Sequence, residues 1–301
     1  MGDGDGDVTS PGPWGASVRG VPPVLGIRGK PTLLFLSCTC SRFRCKPGAP
    51  ANDVGLSGGP KIGRPNRGGL VSIILVGGLE PSGEAGLAFH RGLLKRADDA
   101  KNILHIPAAR HDAPSRQAEF RLAYEGALAC HVETLELHRR RPPRVEVLAS
   151  LEWADLVFLD GGNSAWLMEA LDAAHLAPLL QGFAQGSKWL LGFSAGANCL
   201  HEQGWSAAAG QRPVPGLGIL PGGFAPHGSN PGRSKALQTH LAQRCERWLV
   251  CADGSAVALQ AGSYEILGSG VEVHDHREGS LQIIPLEPGH RGPTDELYRT
   301  R

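Results

Sequence analysis

The feature that most limits the fold is an abrupt change of texture near residue 69. There VSIILV, residues 71–76, forms a β-branched apolar run closed by Gly77-Gly78. A run that is apolar at all but one position suits a parallel strand covered on both faces. Comparable short runs follow at 103–106, 132–137, 156–159 and 189–191. Between most of them, residues 87–97, 119–129, 165–174 and 176–183 carry apolar side chains at helical spacing. This alternation predicts right-handed βαβ units: an α/β fold with a mainly parallel, doubly wound sheet and helices on both faces. After residue 248 the runs become short and crowded, at 248–252, 256–260, 264–267, 271–274 and 281–285, with Gly262, Gly268 and Gly279 between them. They predict antiparallel hairpins finishing the edge of that sheet.

Composition sets the boundaries of this domain. The first 68 residues hold 14 glycines and 9 prolines, about a third of the segment, above the level that marks low-complexity chain. The organisation expected is a disordered extension over 1–68, an α/β domain over 69–286 and a frayed polar tail over 287–301. Lys and Arg number 30 against 29 Asp and Glu, so the chain as a whole has no field to gather nucleic acid or an anionic membrane. No apolar run approaches the roughly 18–20 residues of a membrane span, and Asp3, Asp5 and Asp7 stand where a signal peptide needs basic residues. A soluble, cytoplasmic protein is expected. Cys130, Cys199, Cys245 and Cys251 lie singly and read as buried reduced thiols. Cys38, Cys40 and Cys45 lack a fourth ligand nearby, the nearest histidine being His90, so no metal is expected there. The basic stretch HRRRPPR, 138–144, reads as a solvated turn.

One segment carries the chemistry. KWLLGFSAGAN, residues 188–198, is an apolar strand, then Gly192-Phe-Ser194-Ala-Gly196, then a small-residue run able to start a helix. A strand-to-helix turn of this kind thrusts one side chain out at the strand's carboxyl end, with small flanking residues leaving room. Ser194 is the candidate nucleophile, and the Ala195 N–H points where an oxyanion would form. The competing reading is a serine that only caps its helix. A second glycine turn, Asp160-Gly161-Gly162-Asn163, also follows a strand, and ligand sites of open parallel sheets lie at such carboxyl ends. Gly162 could supply a second oxyanion donor; alone, the turn would merely let Asn163 cap a helix. For the general base, His227 in LPGGFAPHGS stands in an expected loop over 220–229 stiffened by Gly and Pro, where function concentrates. His201 falls two turns along the helix expected after Ser194, His240 in a predicted helix over 234–245, and His274 and His276 in the terminal hairpins.

The ordered set VFLDGGN, LLGFSAGAN, GLGILPGGFAPH and YEILGSGVEVHD resembles peptidase family S51, which includes dipeptidase E and cyanophycinase, over roughly residues 71–276. The resemblance implies a fold similar to class I glutamine amidotransferases with serine in place of their cysteine. It also implies no cofactor, a small peptide as partner, and hydrolysis of peptide or isopeptide bonds at aspartyl residues; a homodimer is compatible with it. Ser194 then becomes the nucleophile, His227 the general base and acid, and Gly162 and Ala195 the oxyanion donors. The family's acidic triad member comes between serine and histidine, yet residues 195–226 contain one carboxylate, Glu202. Eight positions of regular helix rise about 12 Å, so Glu202 reaches His227 only if the helix ends early. Otherwise another group orients His227, or the protein is an impaired family member that binds without turnover. The rival enzyme is an α/β-hydrolase esterase using Ser194, Asp253 and His274 or His276, although no HGGG-type oxyanion segment precedes its elbow. An amidotransferase would need a cysteine nucleophile, and Cys199 lies five residues past the elbow.

Overall fold

The computed structural model describes residues 71–298, apart from 245 and 278. The 1–68 extension with Cys38, Cys40 and Cys45, together with Cys245 and residues 299–301, lies outside the described part.

Five parallel strands form the trunk of the first sheet: β1 (Ser72–Val76), β2 (Asn102–Ile106), β3 (His131–Thr134), β4 (Leu156–Leu159) and β5 (Trp189–Phe193). They lie side by side in the order β1-β5-β4-β2-β3. Helices α1 (Gly83–Arg96), α2 (Pro114–Arg121), α3 (Arg144–Trp153), α4 (Ser164–Ala173) and α5 (Ala177–Ala184) fill the connections. Successive strand residues face opposite layers, and β1 shows it plainly. Ile73 and Leu75 pack with Leu151 of α3, Leu167 of α4 and Leu180 of α5, while Ile74 and Val76 pack with Leu93 of α1 and Phe120 of α2. The doubly wound α/β architecture expected from the sequence is therefore present.

The second half of the chain departs from expectation. The elements are α6 (Ala195–Leu200), β6 (His201–Ser206), β7 (Arg212–Pro215), β8 (Leu220–Pro226), α7 (Pro231–Leu241), β9 (Arg247–Cys251), β10 (Ala256–Gln260), β11 (Ser263–Leu267), β12 (Val271–Arg277), β13 (Ser280–Leu286), β14 (Arg291–Pro293) and α8 (Asp295–Tyr298). Of the predicted edge hairpins, β10 and β11 do extend the first sheet, antiparallel beside β1. Strands β9, β12 and β13 instead join a second, six-stranded sheet in the order β13-β12-β9-β8-β6-β7. Within it β6, β8 and β9 run parallel. Its inner face, with Phe224 and Leu249, shares the core of the first sheet; its outer face packs Trp205, Trp248 and Val250 against Leu237 and Leu241 of α7.

Residues 291–298 are likewise no frayed tail. β14 pairs with β11, Leu297 is buried, and the Tyr298 hydroxyl meets His201 Nε2 at 3.2 Å. One buried leucine and one tyrosine anchor a segment whose other residues are polar. Cys130, Cys199 and Cys251 are buried free thiols, and burial raises the pKa of each. Among the described residues, no helix is long and apolar enough to cross a membrane.

Candidate active site

Three neighbouring strand ends of the first sheet converge on the site. β5 lies between β1 and β4. Beyond their carboxyl ends stand Ser194, flanked by the Gly77-Gly78 turn on one side and the Gly161-Gly162 turn on the other. Ser194 has φ 50° and ψ −101°, outside the regions comfortable for an L-residue. Such backbone strain costs on the order of 1–3 kcal/mol and persists only where the surroundings impose it. Here the Ser194 N–H donates to Val76 O (2.9 Å), and the Asn198 N–H donates to Ser194 O (3.0 Å). The flanking glycines are required by contact: a Cβ on Gly192 would lie 2.6 Å from Ala197 N, and one on Gly196 2.2 Å from Leu159 O. The elbow anticipated at Ser194 is formed.

The second sheet supplies the partners. His227 follows β8 directly and Asp253 follows β9 by one residue, and Pro226 and Cys251 are partners in the parallel β8–β9 ladder. Ser194 Oγ and His227 Nε2 are 2.8 Å apart, and His227 Nδ1 and Asp253 Oδ1 are 2.5 Å apart. A carboxylate only accepts, so Nδ1 carries the ring proton toward Asp253 and the bare Nε2 accepts from the serine hydroxyl. The His227 N–H donates to Gly77 O, and the Gly254 N–H donates to Gly78 O, tying both loops to the end of β1. Glycine at 78 lets this pair stand where it does: a Cβ there would lie 1.9 Å from Asp253 Oδ1 and 2.7 Å from His227 Nδ1.

Glu202 does not take part in this chain. Helix α6 stops at Leu200, so Glu202 falls in β6, where its carboxylate accepts from the Gly222 N–H at 2.9 Å. His274, offered by the esterase alternative, is buried in β12 with Nε2 on Glu272 (2.7 Å), and His276 lies two residues further along the same strand. Of the residues that alternative named to complete the triad, Asp253 is the one that contacts His227. Cys199 is buried in α6 with its thiol toward Ser164 O.

The Gly161-Gly162 turn rests on a buried charge network. Asp160, fully buried, accepts from the Gly161 N–H (2.7 Å), Arg116 Nε (2.7 Å), Arg116 Nη2 (2.8 Å) and His105 Nε2 (3.0 Å). Burial alone would raise its carboxyl pKa, but the His105 and Arg116 contacts outweigh burial and hold it well below the ordinary carboxylate range. Burial lowers the pKa of His105, which stays neutral and donates. Arg110 Nε donates to Gly161 O (3.1 Å), and Gly162, at φ 141°, would place a Cβ 2.4 Å from Ala109 O. The turn thus has one backbone course. A cleft of about 230 Å³ lies over it, lined by Gly162, Ser194, Ala195, His227 and the charged Glu80, Arg110 and Arg233.

The sequence profile of peptidase family S51 matches residues 73–267 of the chain, well over half of it. The chain belongs to peptidase family S51. A curated relative, the "Uncharacterized peptidase YgaJ" of Bacillus subtilis (strain 168), is 29% identical over 126 residues, covering 42% of this chain and 54% of that protein. The matched part therefore spans about half the length of that relative. The crystal structure of a peptidase from an acI-B1 Actinobacterium superposes with a TM-score of 0.55 at 19% identity, covering 75% of this chain and 98% of that one. At that identity the likeness concerns the fold.

Proposed function

We propose that this S51 peptidase is a serine hydrolase that cleaves small peptides at aspartyl residues through an acyl-enzyme on Ser194. The observation that carries the reading is the continuous chain Ser194 Oγ, His227 Nε2, His227 Nδ1, Asp253 Oδ1, at 2.8 Å and 2.5 Å. Ser194 Oγ attacks the amide carbonyl carbon while His227 Nε2 takes the hydroxyl proton, and the carbonyl π electrons move onto oxygen. The oxyanion of the tetrahedral intermediate is held by the N–H groups of Gly162 and Ala195. Collapse breaks the C–N bond, and His227 passes its proton to the leaving amine. Water then enters, deprotonated by His227, and the same sequence releases the acid and restores Ser194.

Asp253 keeps the imidazole in the tautomer that step one needs and stabilises the imidazolium that forms. The two oxyanion donors stabilise charge that develops only in the transition state; one such donor is worth on the order of a hundredfold or more in rate. The aspartyl preference follows from the family resemblance and from the surplus of arginine over glutamate among the residues lining the cleft.

The test is turnover of Asp-X dipeptides, with β-aspartyl-arginine as a branched comparator, by wild type, Ser194→Ala and His227→Ala. Either substitution is expected to lower kcat by ten-thousandfold or more, as for a triad acting as one unit. Turnover surviving in Ser194→Ala would exclude this mechanism.

A further inference from the structure

Three successive carbonyls just past the end of β1 are each taken by a different part of the molecule. Gly77 O accepts from the His227 N–H at 3.1 Å and Gly78 O from the Gly254 N–H at 3.2 Å, so the segments bearing His227 and Asp253 both rest on this turn. Leu79 O accepts from His90 Nε2 at 2.9 Å. His90 belongs to α1 and is fully buried. Leu79 O can only accept, so Nε2 carries the ring proton, and the bare Nδ1 accepts from the Tyr124 hydroxyl at 2.8 Å. Burial lowers the pKa of the ring to about 4, which keeps it neutral near pH 7 with one proton to give. The rings of Phe158 and Phe193 lie against it, with centroids 6.3 and 5.9 Å away.

The turn needs such a hold. Leu79 has φ 88°, a backbone course that disfavours a leucine and persists only where the surroundings impose it. Its side chain is half-buried, and the hydrogen bond on its carbonyl is the one from His90. Helix α1 sits directly on the same turn: a Cβ on Gly86, one helical turn before His90, would lie 2.2 Å from Glu80 O. Many buried histidines satisfied on both nitrogens serve only the core. His90 differs in that its acceptor stands next in line to the two carbonyls that hold the His227 and Asp253 segments.

We infer that His90 is a positioning residue for the catalytic pair: by fixing the Leu79 peptide it sets the Gly77 and Gly78 carbonyls on which the His227 and Asp253 segments are seated. It touches no reacting atom and acts through the backbone of the turn. The inference rests on the serine-peptidase reading for its kinetic readout, and a spectroscopic readout is independent of it.

The experiment pairs His90→Gln with His90→Asn. A glutamine amide reaches where Nε2 stood and can still donate to Leu79 O; an asparagine amide ends where Nδ1 stood, beside Tyr124, and leaves Leu79 O unmet. On an Asp-X dipeptide His90→Asn is expected to lose about a hundredfold in kcat with KM within about threefold, and His90→Gln no more than about fivefold, because an ångström of misplacement costs on the order of a hundredfold. Labelling of Ser194 by a neutral aryl phosphonate should slow in the same order. Leu93→Ala, which opens a cavity one turn further along α1, controls for lost stability: it should unfold at lower urea with kcat unchanged. Proton NMR supplies the independent readout, the Nδ1–H of His227 in its bond to Asp253, identified by its loss in His227→Ala. That signal should persist in His90→Gln and Leu93→Ala and vanish or move upfield in His90→Asn. If wild type neither turns over the peptide nor takes the phosphonate, the serine-peptidase reading fails, and this signal alone decides for His90. No loss in His90→Asn, an equal loss in His90→Gln or Leu93→Ala, or absence of the signal from wild type would overturn the inference. His90→Leu, which likewise offers Leu79 O no donor, replaces His90→Asn should the latter not fold. Failure of both to fold, with Leu93→Ala folded, would make His90 a core residue only and overturn the inference as well.

Discussion

His227 and Asp253 meet at 2.5 Å because they hang from the carboxyl ends of neighbouring parallel strands, β8 and β9. Parallel pairing puts both ends at the same edge of the second sheet, and that edge faces the end of β1 through the bonds His227 N–H to Gly77 O and Gly254 N–H to Gly78 O. The proposed nucleophile, Ser194, comes from one sheet and the pair proposed to handle its proton, His227 and Asp253, from the other. The site is a property of how the two sheets meet.

Asp253→Asn is expected to lower kcat strongly, while Glu202→Gln leaves it within about threefold. A buried triad carboxylate is worth about ten-thousandfold. Asp253 has 47% of its side-chain surface exposed, so solvent weakens its hold on the imidazole and a loss of roughly a hundred to a thousandfold is expected. Steady-state kinetics on one Asp-X dipeptide checks both variants; the reverse ranking would return the orienting role to Glu202.

Gly78→Ala should impair the catalytic pair more than the fold. The added methyl would overlap the Asp253 carboxylate and the His227 ring, whose side chains are only partly buried and can move aside. A fall in kcat of a hundredfold or more is expected, with the midpoint of urea unfolding changed by little. Unchanged turnover would mean that the His227–Asp253 contact is dispensable.

The position of Ser194, the proposed nucleophile, was legible in the sequence because a strand, a glycine turn and a helix start are local events. The same holds for Gly162 and for His227, whose segment is marked by Gly and Pro, although Leu220–Pro226 is a strand and not the loop expected there. The carboxylate was not legible. Asp253 lies 26 residues beyond His227 and reaches it only through a ladder between two strands, which no local pattern reports. The condition set for Glu202, that the helix end early, is met, yet its carboxylate accepts from the Gly222 N–H instead of meeting His227. The chain leaves the helix at His201, where ψ is 172° and the ring bonds back to Ala197 O at 2.9 Å. Asp253 does appear in the sequence as an acid beside glycine after a short apolar run, the signal that could have raised it. The second sheet escaped for a related reason: its strands have the same length and composition as hairpin strands of the first.

Stability should fall between about pH 6.5 and 4 through two buried histidines. His90 and His201 are desolvated by burial, and each has its pKa lowered to about 4. Each has an acceptor that fixes one ring proton: His90 Nε2 donates to Leu79 O and His201 Nδ1 to Ala197 O. The unfolded chain binds these protons near pH 6.5 and the folded chain only near pH 4. Their neutral forms therefore impose no cost above pH 6.5, and stability is lost as pH falls through that window, by a few kcal/mol at most for each. Urea unfolding free energies from pH 7.5 to 4 check this. The slope in the window should drop by up to about 1.4 kcal/mol per pH unit in His201→Asn. A slope unchanged in that variant would contradict the assignment.

The central claim is that Ser194 is a serine activated by His227, and covalent labelling tests it most directly. A neutral aryl phosphonate reacts with an activated serine and needs no knowledge of the substrate. Intact-mass and peptide mapping of the treated protein should show one adduct, on Ser194, formed in wild type, absent in Ser194→Ala and slowed by at least a hundredfold in His227→Ala. Failure of wild type to form the adduct, or an adduct on Ser194 at the same rate without His227, would contradict the account.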